Sequence, residues 1–526
     1  MTTNYFSQYK LILFISIIFT SFYNFSFFGK VIETYTFEGI KVIYIISLAI
    51  VEISFITLFF TIFASKYSTK PILILTIFIS SFTAYFMDTY HIVIDDNMIR
   101  NTLQTNLAES FDLFSLKLVI YVLLLGVLPS YIIYKIEIKY KTIKKELATK
   151  LKYILISLSI IGIILFLFGK FYTSFFREHK PLRYYINPIS WVYNINNHLL
   201  KTYTNQTSKL EKIANDAKIN FNENEKRRIM ILVVGEAARA DRFSLNGYEK
   251  ETNPLLKNED LINFTNMYSC GTSTAESVPC MFSIFGRADY DYKKGISTEN
   301  VVDVLNKTNE VSILWRDNNS DSKGVALRVD YEDYRTSKTN TICDNECRDE
   351  GMIVGLDKYI EQHKNRNILI VLHQMGNHGP AYYKRYVKEF EKFTPVCKTN
   401  QLEECKQEEV SNAYDNAILY TDYFLSKVIN FLKPYSQNFE TSMFYVSDHG
   451  ESLGENGLYL HGMPYFIAPK AQKHVASVMW LGNNKKENIE KEYSQDNLFH
   501  TLLGFFDVKT SVYKEDMDIL NDYKKH

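Results

Sequence analysis

The chain has 526 residues and a formal charge of zero, enough length for two or three domains and no global field of the kind a nucleic-acid partner demands. Its two ends differ sharply: the first 170 or so residues are dominated by Ile, Leu, Phe, Ser and Tyr, while the rest is of ordinary soluble composition. Aromatic residues make up 15%, as suits several membrane interfaces.

Five apolar stretches approach the length of about 20 residues that a membrane-spanning helix needs. They run Leu11–Phe28, Ile40–Phe63, Ile72–Met87, Leu116–Tyr134 and Tyr153–Phe168. The first ends in bulky Phe27 and Phe28 rather than a small-residue cleavage site, so it reads as a retained anchor. Lys66 and Lys70 mark one short basic loop. Residues 135–152 form another, with Lys135, Lys139, Lys141, Lys144, Lys145, Lys150 and Lys152. Asp88–Ser115 is acidic instead, with Asp88, Asp95, Asp96, Glu109 and Asp112 against Arg100. Basic loops stay in the cytoplasm, so the acidic loop and, after an odd number of spans, the C-terminal part lie outside. The aromatic connector Phe171–Asn194 suits the headgroup layer, and Lys201–Lys226 reads as a polar helix. The expected domains are therefore a five-helix membrane anchor (1–170), an interfacial linker and bridging helix (171–226) and a catalytic domain (227–526).

All six cysteines follow residue 269, in three close couples: Cys270 with Cys280, Cys343 with Cys347, Cys397 with Cys405. No pair has the spacing of a structural zinc site. Local pairing costs least in loop closure, so three disulfides and an oxidising compartment are expected.

From Arg228 the pattern becomes strand, turn, helix. The apolar run Arg228–Val234 ends in Gly235-Glu236 and leads into a helix-like AARADRFSL. Asn367–Leu372 ends in His373 and runs on through Gly376-Asn377-His378. Ser442–Val446 ends in Ser447-Asp448-His449-Gly450-Glu451. Ligands of open α/β sheets gather at the carboxyl ends of such strands. Taken singly, Glu236 reads as a helix first-turn acid and each histidine as a core or surface residue. Together, a carboxylate, an Asp-His pair, His378 and His461 form a donor set of the mixed nitrogen and oxygen type that zinc takes. Residues 270–280, CGTSTAESVPC, are rich in hydroxyls, and Thr272, Ser273, Thr274 and Ser277 compete as a nucleophile that a metal could activate.

The runs VVGEAARADRFSLNGY, CGTSTAESVPCMFS, HQMGNHGPAYY and SDHGESLGENGLYLHG resemble the phosphoethanolamine transferase family that modifies lipid A. That family includes the mobile colistin-resistance enzymes and belongs to the alkaline phosphatase and sulfatase superfamily. The resemblance covers nearly the whole chain. It implies a soluble domain of alkaline phosphatase/sulfatase type, with a mostly parallel central sheet and helices on both faces. It implies that Thr274 is the nucleophile and joins Glu236, Asp448 and His449 around a catalytic zinc, while His378 and His461 bind a second zinc or the phosphoryl group. The stretch Arg316–Lys323 points similarly to Asn319, Ser320 and Lys323 as substrate contacts. Residues 101–109 resemble a stretch that holds the lipid headgroup. On a helix Asn101, Thr105 and Glu109 would share one face. The sulfatase signature Cys/Ser-x-Pro-x-Arg is absent at the nucleophile, and the four-residue spacing of Cys343 and Cys347 is shorter than the family's usual loop.

The expected reaction passes phosphoethanolamine from phosphatidylethanolamine through Thr274 to lipid A or another envelope glycolipid and releases diacylglycerol. A monomer in a bacterial inner membrane, its catalytic domain in the periplasm, would carry it out without any nucleic-acid partner. A phosphoglycerol transferase or phosphodiesterase on the same metal core is the nearest alternative. A non-catalytic envelope protein would more naturally close its zinc with four protein ligands than leave it open beside a hydroxyl.

Overall fold

The computed structural model describes residues 6–35, 37–105, 107–205, 210–220, 225–482 and 486–524. It divides into two compact units, one of Met1–Ile99 with Phe114–His198, the other of Arg100–Leu113 with Leu199–His526.

In the first unit, helices Ile40–Phe63, Thr69–Tyr90, Leu116–Lys135 and Ile143–Leu167 are long and apolar enough to cross a membrane. The most N-terminal apolar stretch departs from the simple span expected for it. It is a pair, Gln8–Tyr23 and Phe25–Tyr35, bent by 62°. Asn24 explains the break. Its Nδ2 donates to the carbonyls of Phe19 (3.1 Å) and Asn187 (2.6 Å), its Oδ1 accepts from the Asn187 amide (2.6 Å), and the Ser26 amide donates to Asp88 rather than along the helix. Side chains have replaced the helical ladder at this point. Residues 171–198 pack into the same unit: Phe171, Tyr172, Phe175, Tyr185 and Trp191 are buried with Phe27, Val31, Leu48 and Met87. Each ring removes a large apolar area from solvent, which ties the aromatic connector to the helices.

The second unit is built on an eight-stranded sheet. Its strands are β1 (Arg227–Gly235), β2 (Leu261–Phe264), β3 (Val311–Asp317), β4 (Asp330–Asp333), β5 (Asn367–His373), β6 (Phe439–Ser447), β7 (Ser477–Leu481) and β8 (Glu487–Ile489), in the order β8-β2-β7-β6-β1-β5-β3-β4. The pairs of β7 with β2 and β6 are antiparallel and the other five are parallel, a mostly parallel sheet as expected. Strands β3 and β5 are buried along their whole length, the signature of strands covered on both faces. Met230, Leu232 and Val234 of β1 pack into one apolar cluster with residues of helices Val301–Lys307 and Leu498–Phe505, while the long helix Gln407–Leu432 lies against β6.

Strand register sets where the chemistry-bearing residues emerge. Asp317 pairs with His373, Val234 with His373 and Gly235 with Ser447, so β3, β5, β1 and β6 end in one row. The residues just beyond them converge because parallel strands in register must deliver their next residues to the same edge.

Two local expectations fail. No α-helix follows β1; the chain makes 3₁₀ turns at Ala240–Arg242 and Ser244–Asn246. Ala237 is left-handed (φ 54°), and the Ala238 and Arg239 amides donate to the Ser447 and Tyr414 hydroxyls, so tertiary acceptors replace helical carbonyls. Nor is 201–226 one polar helix. Helix Ile189–Asn205 ends early, and Lys218–Ile219 forms a short strand against Val508–Lys509. The segment buries Ala214 against the core, with Ile213, Ala217 and Ile219 packed beside it, and pairs at a strand edge instead of continuing as a helix.

Candidate active site

The row of strand ends brings Glu236, Asp448 and His449 together. One ligand atom from each lies within 4.8 Å of the others, and all three residues are fully buried. Thr274 is the first residue of helix α1 (Thr274–Met281), and its Oγ1 lies 3.1 Å from Glu236 Oε2 and 3.3 Å from His449 Nε2.

Each group is held from behind. Asp448 Oδ1 accepts from the Ala237 amide at 3.1 Å and the His449 amide at 2.7 Å, which aims Oδ2 inward. His449 Nδ1 is 2.8 Å from the Gly450 carbonyl, which can only accept; that contact assigns a proton to Nδ1 and turns Nε2 toward the carboxylates. Asn319 Nδ2 donates to Glu236 Oε2 and to the Gln374 carbonyl, both at 2.8 Å.

The electrostatics call for a cation. Burial and the facing Glu236 push the Asp448 carboxyl up to about 6. Burial alone would lower His449, but Asp448 and Glu236 push it up to about 10. Burial likewise works to raise Glu236, yet His449 and His378 hold it well below the usual carboxylate range. Glu236 Oε1 and Asp448 Oδ2 are buried without a hydrogen bond among the described residues, and His449 Nε2 faces both, at 3.3 and 3.4 Å. Two buried carboxylates against one imidazole leave negative charge that a cation would offset. Two carboxylate oxygens, an imidazole nitrogen and a hydroxyl fit a divalent metal of the zinc type.

The competition among hydroxyls is resolved by their contacts. Thr272 Oγ1 donates to the Met463 carbonyl at 2.6 Å, and Ser277 Oγ is engaged by the Asp448 carbonyl and Gln495. Ser273 makes none of these contacts, and Thr274 alone of the four hydroxyls reaches an acidic side chain, that of Glu236. His461 lies beside His449 with ring centroids 4.1 Å apart, and the His378 ring is 6.2 Å from that of His461. Ser320 and Lys323 are buried on the turn after β3, with Lys323 Nζ donating to the Ser320 carbonyl at 2.7 Å. All three expected cysteine pairs are disulfides.

Asn101 lies on the helix Asp96–Gln104, which ends just before Thr105. One helix ends at Gln104 and the next starts at Leu107, with Thr105 between them donating to the Asn101 carbonyl at 2.7 Å. The Thr hydroxyl closing back on the preceding turn favours that break. The side chain of Glu109 lies outside the described residues.

Three residues carry more than their sequence context indicates. Gln495 accepts from the Cys270 amide (2.7 Å) and donates to the Ser447 and Asp448 carbonyls (2.7 and 2.8 Å), joining the hydroxyl loop to the acidic loop. A glutamine in an ordinary polar stretch gives no sequence signal for this. Glu451 is buried, with Oε2 3.1 Å from His461 Nδ1, and its place beside Asp448-His449 was a signal. Asp317 accepts from Trp315 Nε1 at 2.9 Å, from the Asn319 and Asp321 amides at 3.0 Å, and pairs with His373 Nδ1 at 2.8 Å. It shapes the turn that presents Asn319, and His373 is thereby a buried structural partner.

Known proteins resemble this chain over nearly its whole length. Residues 53–203 match the family described as phosphoethanolamine transferase EptA/EptB, and residues 228–508 match the sulfatase family. The phosphatidylethanolamine transferase Mcr-2 of Escherichia coli is 44% identical over 94% of this chain and 94% of its own. The chain belongs to the phosphoethanolamine transferase family. Among solved structures, the integral membrane lipooligosaccharide phosphoethanolamine transferase A of Neisseria meningitidis matches with a TM-score of 0.93 at 35% identity over 98% of both chains. The C-terminal periplasmic domain of phosphoethanolamine transferase EptC from Campylobacter jejuni is 44% identical, with a TM-score of 0.52, over 60% of this chain and 98% of its own.

Gly450 is critical to the geometry of this transferase site. A Cβ there would stand 2.0 Å from the Ala471 carbonyl oxygen, a backbone atom that cannot rotate away. Gly450→Ala is expected to cost about 2–3 kcal/mol, read as a lowered Tm, and to displace His449, whose ring is fixed by the Gly450 carbonyl.

Proposed function

We propose that this protein transfers phosphoethanolamine from phosphatidylethanolamine to lipid A or a similar envelope glycolipid, by way of a covalent phosphothreonine at Thr274. The carrying observation is the single hydroxyl, Thr274 Oγ1, within 3.3 Å of both a buried carboxylate and a buried imidazole. Glu236, Asp448, His449 and Thr274 would hold a zinc ion, which when bound supplies Lewis-acid polarisation and lowers the pKa of the hydroxyl. His378, His461, Ser320 and Lys323 would bind the phosphoryl oxygens, and Asn319, whose Nδ2 donates to Glu236 and the Gln374 carbonyl, would hold Glu236 in place.

In the first half-reaction Thr274 Oγ1 forms a bond to phosphorus while the bond from phosphorus to the glycerol oxygen breaks. The proton leaving Thr274 ends on that oxygen, and diacylglycerol departs. In the second half an acceptor oxygen bonds to the phosphorus, the bond from phosphorus to Thr274 breaks, and the threonine regains a proton. Helix α1 begins at Thr274, so its amide ends add a favourable field for the transferring anion.

Both substrates are lipids, which accounts for a membrane anchor. The lysine-rich loops and three disulfides support a bacterial inner-membrane location with the second unit in the periplasm; the Neisseria relative is described as an integral membrane protein and the Campylobacter domain as periplasmic. Each transfer places an ammonium over an anionic group and so weakens attraction of cationic antimicrobial peptides. The test is reconstitution of the purified protein in vesicles with headgroup-labelled phosphatidylethanolamine and lipid A. Label appearing on lipid A with equimolar diacylglycerol is expected. Release of free phosphoethanolamine alone would make the protein a phosphodiesterase.

A further inference from the structure

Two loops lie against Glu236, and one carboxylate outside the metal triad grips both of them. Asp349 is 4% exposed and opens the 3₁₀ turn Asp349–Ile353. Its Oδ1 accepts from Asn318 Nδ2 at 2.8 Å and from the Met375 amide at 2.9 Å. Its Oδ2 accepts from the Gly376 amide at 3.2 Å. Successive amides aimed at one carboxylate form an anion-binding nest, and Gly376 (φ 48°) supplies the left-handed residue that such a turn uses.

The loop held in this way reaches the site at two points. The Met375 carbonyl accepts from the His378 amide at 3.2 Å, and the Asn377 amide donates to the Glu236 carbonyl at 3.1 Å. The other arm is the turn at Asn318, whose neighbour Asn319 donates to Glu236 Oε2 at 2.8 Å. Asp349 is braced from its own side as well. Asn318 Nδ2 also donates to the Cys347 carbonyl at 2.9 Å, inside the Cys343–Cys347 disulfide loop. The preceding Arg348 pairs with Asp344 at 2.6 Å and donates to the Lys384 carbonyl at 2.7 Å. A buried carboxylate with rigid donors on both sides has no room to move toward a substitute partner, so its loss is felt by whatever it holds.

We propose that Asp349 is a positioning residue for phosphoryl transfer: its carboxylate fixes the loop 374–378 and so sets where the His378 imidazole meets the phosphoryl group. The inference rests on the transferase reading above and on the phosphoryl-binding role of His378 within it. Among the described residues no hydrogen bond links Asp349 to Glu236, Asp448 or His449. It acts through the loop and leaves the metal ligands in place.

The test uses the full-length enzyme in vesicles with phosphatidylethanolamine and lipid A. Asp349→Asn keeps the size of the side chain and turns an NH₂ group toward a backbone N–H. Its kcat is expected to fall about thirtyfold, with donor KM within about twofold of wild type and zinc content unchanged. The decisive measurement is the cycle with His378→Ala. Adding Asp349→Asn to His378→Ala should lower kcat by less than about twofold further, because no imidazole is left to position. Asp349→Glu, which keeps the charge and lengthens the side chain by one methylene, carries the same cycle if Asp349→Asn does not fold. Additive losses in the cycle, wild-type kcat in the Asp349 variant, or loss of its zinc overturns the proposal and leaves the transferase reading intact. Wild-type kcat in His378→Ala overturns the proposal together with the role given to His378. A wild-type protein that moves no phosphoethanolamine overturns the reading itself.

Discussion

With phosphatidylethanolamine and no acceptor, the protein should accumulate phosphoethanolamine on one peptide, residues 270–280, with the modification on Thr274. Thr274→Ala should lose the adduct and at least about a thousandfold in turnover while keeping its fold, because a nucleophile's contribution has no substitute in the site. Mass spectrometry of the proteolysed, non-reduced protein detects the adduct, and transfer assays measure the turnover. The neighbouring hydroxyls are poor rescuers: Thr272 and Ser277 are bonded to the carbonyls of Met463 and Asp448. Thr274→Ser should retain a fraction of activity, since serine lacks the β-branch that restricts χ1 and spends part of its time in other rotamers. An adduct on Ser273 or Ser277, or full turnover in Thr274→Ala, would refute the assignment.

The second large effect concerns the metal. Glu236→Ala and Asp448→Ala should leave the purified protein without bound zinc and without activity, as measured by elemental analysis alongside transfer assays. Asp448→Asn tests charge apart from shape and should also lose most of the metal. His378→Ala and His461→Ala should keep the metal and lose turnover, because neither belongs to the triad whose ligand atoms lie within 4.8 Å. Binding should release protons. In the metal-free protein the carboxylates push His449 up to about 10, so it holds a proton at neutral pH that the metal must displace. Asp448 is raised to about 6, so below that pH it too must give up a proton and zinc affinity should drop more steeply. Affinity independent of pH between about 5 and 8 would exclude these residues as the ligands.

Much of the catalytic edge was legible in the residue order because buried parallel strands are short, apolar and end abruptly. Arg228–Val234, Asn367–Leu372 and Ser442–Val446 each stop at or just before residues that carry chemistry, and the register of β1, β5 and β6 puts those stops in one row. Helix ends and breaks were less legible. Residues 237–246 have helix-forming composition, yet their amides go to Ser447 and Tyr414, groups some two hundred residues away that local propensity cannot register. The bend at Asn24 likewise depends on Asn187.

By itself, then, the sequence determined the alternation of apolar and soluble segments, the strand-end placement of Glu236 and of Asp448-His449, and the local cysteine pairs. These depend on short-range pattern: run length, period, and low loop-closure cost. Only the tertiary structure decided which of four hydroxyls reaches an acidic side chain, that Gln495 ties the 270–280 loop to the acidic loop, and that Asp112 belongs with Arg385 in the second unit. Those contacts join residues far apart in the chain through hydrogen bonds and buried charge pairs. Their partners are chosen by the fold's geometry, and nothing in the neighbouring residues of either partner encodes the match.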